Sequence, residues 1–105
     1  MEGAESEQGE FIELSVIENS HSARILAFLL LNGRCMKTEL YSGVARSAMM
    51  PVKLDRLEDA GLISQDVHGR RTFIALTPLG REVAEHIVAI SRILSGADGG
   101  LHIDF

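Results

Sequence analysis

The side chains of this 105-residue chain best suited to chemistry are cations, and they cluster. Lys37, Arg46, Lys53, Arg56, Arg70 and Arg71 are six of its ten Lys and Arg residues, and all fall between positions 37 and 71. Such a cluster suits phosphate, which Arg meets with a planar fork and Lys with a point charge. Arg70-Arg71, the one adjacent basic pair, follows Gly69 directly. The groups that catalysis or metal binding would need are not grouped. His21, His68, His86 and His102 are scattered, and Glu82 and His86, four apart, have no cysteine pair or second histidine nearby to complete a metal site. H-E-x-x-H, a Gly-rich phosphate loop and G-x-S-x-G are all missing from the sequence. No catalytic residue, metal or cofactor is therefore expected, and the chain is not read as an enzyme. Cys35, the single cysteine, excludes an internal disulfide, fits a reducing cytoplasm and reads as a small buried apolar residue.

A net charge of −5 opposes nucleic-acid binding unless it is unevenly placed. It is. Glu2, Glu5, Glu7, Glu10, Glu13 and Glu18 precede every basic residue, whereas the ten cations that follow face nine acids. The part after residue 18 is thus near neutral, which permits DNA binding. Hydrophobic residues at 46% and charged residues at 24% describe an ordinary globular domain, and the length suffices for one. The longest apolar run, Ile25 to Leu31, is too short to cross a membrane, and the acidic start does not resemble a secretory leader.

Elements to carry these cations can be read from pattern and punctuation. Residues 1–10 are Glu-, Gly-, Ser- and Gln-rich and are expected to be a disordered acidic tail. Phe11 to Ile17 is apolar at most positions, and strand and short helix stay open. Asn19 or Ser20 is placed to cap a first helix over His21 to Asn32, closed by Gly33. Cys35-Met36 reads as an extended link, and Thr38 as the cap of a second helix to Gly43. Val44 to Ser47 forms a turn, with Ser47 capping a third helix to Ala60, where Met50, Leu54 and Leu57 form a core stripe. Leu62 to Asp66 and Arg71 to Leu76 read as strands joined through a turn at His68-Gly69. Thr77-Pro78 starts a final helix over 78–95, and 96–105 is expected to be a flexible tail.

The resulting fold class is mostly α with a small β-hairpin (α+β). It is a winged helix-turn-helix domain over 11–95, with a three-helix core, a wing and a C-terminal dimerisation helix. Two stretches add a resemblance. Leu57-Glu58-Asp59-Ala60-Gly61-Leu62-Ile63 resembles the helix end and first wing strand of MarR-, PadR- and ArsR-like regulators, and Leu76-Thr77-Pro78-Leu79-Gly80-Arg81-Glu82 their second wing strand and following helix. Asp66 and Arg70-Arg71 are similar to the acidic-then-basic wing of the MarR family, with Asp66 expected opposite Arg71. The resemblance implies a prokaryotic, cytoplasmic transcription regulator that binds double-stranded DNA as a homodimer through the third helix and the wing. Whether a small-molecule effector exists is not legible.

The residues expected to touch DNA are Arg46, Ser47, Met49, Val52, Lys53, Arg56, Arg70 and Arg71. The outward face of the third helix carries Ala48, Val52, Asp55, Arg56 and Asp59, with no Asn, Gln or Ser at its centre to read base edges. That leaves two alternatives standing: a winged helix used for protein–protein contact through Met49, Pro51 and Val52, and an architectural DNA binder without sequence preference. On the final helix, Leu79, Val83, Ile87, Ile90 and Leu94 form a seam, widened by Ala84, Val88 and Ile93. Leu79 and Val83 are expected in the domain's own core, and Ile87, Ile90, Ile93 and Leu94 at a dimer interface.

Overall fold

The computed structural model describes residues 14–96. The acidic stretch 1–10, residues 11–13 and residues 97–105 lie outside the described residues. Ser15–Glu18 forms one helical turn, α1, so the part of Phe11 to Ile17 that is described is helical, with Val16 and Ile17 packed on the core. The long apolar segment follows as α2, Ser22–Asn32. Neither expected residue caps it. Asn19 turns its side-chain amide back to the Ser15 carbonyl (3.4 Å), and His21 holds the N-cap position in the left-handed region (φ +70°) without a side-chain cap. Gly33 (φ +81°) closes α2 as expected, its amide donating to the Leu29 carbonyl.

Cys35–Met36 is a true strand, β1, and α3 spans Lys37–Gly43. Met36 and not Thr38 stands at its N-cap, and the Met36 amide donates to Glu39 Oε1 at 2.7 Å. Glu39, three residues on, thus supplies the carboxylate half of a capping box. Helix α4, Met50–Asp59, begins later than its expected cap: Ser47 Oγ accepts from the Met49 amide (3.1 Å), which caps a preceding turn and leaves Met49 as N-cap. Pro51 lies in the first turn, where its missing N–H costs nothing, and Gly61 (φ +82°) follows the helix end.

The wing consists of β2 (Ile63–His68) and β3 (Arg71–Leu76), and β1 adds to β3, giving an antiparallel sheet of order β1-β3-β2. The register runs from Ile63 opposite Leu76 to His68 opposite Arg71. Two corrections follow. The turn residues are Gly69 and Arg70, not His68 and Gly69, and Asp66 stands opposite Phe73, not Arg71. The reason is conformational: Gly69, at φ +66°, takes the first central turn position, which favours positive φ, so the strand extends through His68.

Thr77 starts α5, Pro78–Ser95, as the sequence predicts, its Oγ1 accepting from the Gly80 amide at 3.0 Å. The same hydroxyl donates to the Gly61 carbonyl, and the Thr77 amide donates to Leu62 O (3.1 Å). The two stretches that carry the family resemblance are therefore stitched to one another. Gly80 completes the seam, since a Cβ there would overlap the Leu62 carbonyl. The core is drawn from every element after α1: Ile25, Leu26 and Leu29 of α2, Cys35 of β1, Leu40 of α3, and Met50, Leu54 and Leu57 of α4, sealed by Ile63, Ile74 and Ala84.

This close approach corrects one placement on α5, that of Leu79. The buried stripe of α5 is Gly80, Ala84 and Val88, small residues that let the helix sit near Leu62 and pack along α2. Val83 and Ile87 flank the stripe at half burial, while Leu79, expected in the core, is 53% exposed over Gly61. Ile90, Ile93 and Leu94 face outward, Leu94 at 81% exposure.

Candidate nucleic-acid interface

Helix α4 is the element that a major groove could receive, and its local chemistry changes along its length. Its first half presents Met49, Pro51 and Val52 to solvent, with Ala48 exposed just before it. Its second half presents Asp55, Arg56, Glu58 and Asp59. Phosphate would repel those carboxylates, so it matters that two are partly engaged internally. Gln65 Nε2 on β2 donates to both Asp55 Oδ1 (3.0 Å) and Glu58 Oε1 (2.9 Å). Gln65 was not singled out from sequence. The signal was available in the strand alternation, which places it in the row of Ile63, opposite the buried Ile74.

The expected contact residues divide by what already holds them. Arg46, Met49, Val52, Arg56, Arg70 and Arg71 are exposed. Ser47 Oγ accepts from the Met49 amide, which fixes the hydroxyl at the approach to α4 and leaves its O–H as a donor. Lys53 is half-buried, with Nζ donating to the Ser20 carbonyl at 2.9 Å, a contact that ties α4 to the start of α2. Arg70 is in the wing turn and Arg71 opens β3 opposite His68, so the basic pair projects at the tip of the hairpin. Its charge is not tied to Asp66, which is two pairs further down the ladder.

The hairpin carries a second group that sequence spacing did not reveal. The Arg34 guanidinium lies 4.2 Å over the Phe73 ring, and His68 meets that ring edge-on at 5.7 Å. Phe73 thereby braces the wing between the α2–β1 link and the turn. Elsewhere on the domain, α2, the end of α3 and the second half of α5 enclose an open groove of about 660 Å³. Ala27, Phe28, Val44, Ile87, Ile90 and Leu94 line it, with Arg24 among the polar wall. Of the four residues expected at a dimer contact, this groove gathers Ile87, Ile90 and Leu94 but not Ile93.

The sequence matches no protein-family model, and no curated protein sequence aligns with it significantly. Solved structures do match. A MarR-family putative transcriptional regulator from Porphyromonas gingivalis superposes with a TM-score of 0.69 at 23% identity, over 79% of this chain and 85% of that one. BpsR of Bordetella bronchiseptica, solved to explain regulation of its DNA binding by 6-hydroxynicotinic acid, gives 0.64 at 21% identity, over 95% and 81%. Sso10a-2, a DNA-binding protein of Sulfolobus solfataricus, gives 0.59 at 20%, over 71% and 82%. With its helix order, two-stranded wing and three-stranded sheet, the chain has the winged helix-turn-helix fold.

Proposed function

We propose that this chain is a transcription regulator that binds duplex DNA as a homodimer, with α4 entering the major groove and the wing tip on flanking phosphates. The observation that carries this reading is the placement of Arg70 and Arg71 at the exposed end of a braced hairpin, on a fold shared with DNA-binding regulators. Apolar Met49 and Val52 suit thymine methyl groups, and Arg56 suits a base or phosphate oxygen. Affinity then rests more on phosphate than on base edges. Ile90, Ile93 and Leu94 are covered by a second copy, and catalysis has no part in the role.

One observation favours a second reading. The acidic second half of α4, beside exposed Met49, Pro51 and Val52, also suits a basic protein partner. Fluorescence anisotropy with labelled duplex separates the readings. Sequence-specific binding survives excess competitor DNA, architectural binding is competed away, and a protein adaptor shows no binding at moderate salt.

A further inference from the structure

Away from α4, the wing and α3 enclose a recess of about 190 Å³, and the DNA reading above uses its wing side, Arg70 and Arg71, but not its α3 side. Its polar wall is Lys37, Thr38, Tyr41, Arg70, Arg71 and Thr72. The sheet register brings these together. Met36 pairs with Phe73 at the end of the β1–β3 ladder, so the first turn of α3 starts beside β3 and lines the recess together with Thr72 and the wing turn. Three cations and three hydroxyls thus converge from two segments far apart in the chain. Of the carboxylates close to these segments in the chain, Glu39 accepts the Met36 amide, and Asp66 stands exposed on the neighbouring strand β2, opposite Phe73.

We propose that this recess is a seat for a phosphate oxyanion, completed by Lys37, Thr38 and Tyr41 of α3. The charge comes from side chains, since a seven-residue helix contributes little dipole. Hydroxyls that donate and cations that neutralise form the donor set a tetrahedral oxyanion needs. The proposal rests on the DNA reading only for the source of the phosphate. A backbone phosphodiester and a free phosphate ester offer the same oxygens, and the wing position favours the duplex.

The test uses the full chain with Lys37→Ala and Tyr41→Phe, their folding checked by circular dichroism. Duplex binding is followed by anisotropy across salt, and inorganic phosphate is titrated while amide resonances are recorded. Lys37→Ala lowers the slope of log affinity on log salt by about one. Tyr41→Phe weakens binding roughly three-fold without changing the slope, because the hydroxyl carries no charge. Phosphate shifts the amides of residues 37–41 and 70–72 in the wild type. Should Lys37→Ala leave the slope intact and phosphate move none of those amides, the seat is overturned, though the DNA reading stands. Should phosphate shift them while no duplex binds, the seat stands for a free phosphate ester and the DNA reading falls.

Discussion

At the scale of single residues, much of what matters is whether a polar group is already engaged. Lys53 looks free in sequence, yet its ammonium donates to the Ser20 carbonyl, and Ser47 is held in place by the Met49 amide, whereas Arg70 and Arg71 project at the hairpin tip. Arg70→Ala with Arg71→Ala is therefore expected to lower the salt slope of duplex binding by about two, at unchanged thermal stability. An unaltered slope would assign the pair to solubility. Cys35 gives a second residue-scale prediction. Burial first, and the nearby Glu39 charge second, push its thiol above the ordinary range. The folded chain then holds the thiol proton to higher pH than the unfolded chain does. Stability from this source is full below the unfolded thiol pKa and is lost as pH rises through the raised value. Iodoacetamide should accordingly label native Cys35 far more slowly than urea-unfolded protein at pH 8, and equal rates would show the site is open.

At the scale of elements, legibility followed the reach of the interactions. The start of α5 could be read because Thr77 and Pro78 act locally, and the α4 stripe because Met50, Leu54 and Leu57 share one helical face. Cys35-Met36 was legible as extended but not as a sheet strand, since two residues carry no period and the strand forms only by pairing with Ile74 and Phe73, far along the chain. The turn slipped by one residue because either neighbour of Gly69 can complete a two-residue loop, and register depends on the whole ladder. Asp66 was consequently given the wrong partner. On α5 it was Leu79 that was misplaced, because periodicity weighs size, and here the closest contact is made by Gly80, with Ala84 and Val88 of the widened seam behind it. Gly80→Ala should cost about 2–3 kcal/mol, since the added carbon meets backbone that cannot rotate aside. Leu79→Ala, despite deleting a large aliphatic group, should cost under about 1 kcal/mol because the side chain is half in water. Urea midpoints at constant m-value measure both, and a reversed order of effects would refute the assigned face.

At the scale of the whole molecule, the second half of α5 determines how two copies would meet. Ala84 and Val88 spend the helix's inner face on α2, yet Ile90, Ile93 and Leu94 continue outward at exposures of 54% or more. Covering the part of each side chain still in water would contribute roughly 1 kcal/mol for Ile90 and Ile93 and about 2 kcal/mol for Leu94. The neighbouring groove, walled by Ala27 and Phe28, offers a concave surface that a helix from a second copy could fill. Twofold symmetry would also present two α4 helices to one duplex, so dimerisation and tight DNA binding are expected to fail together. The decisive variant avoids Ile87, which is half-buried against the domain's own core, so that charging it would confuse unfolding with dissociation. Ile90→Glu with Ile93→Glu should instead yield a folded monomer, because the anchors at Gly80, Ala84 and Val88 are untouched. Sedimentation at micromolar concentration reads the mass, circular dichroism the fold, and anisotropy the accompanying loss of duplex affinity, about ten-fold or more. A dimer that persists in this variant would place the interface on another surface.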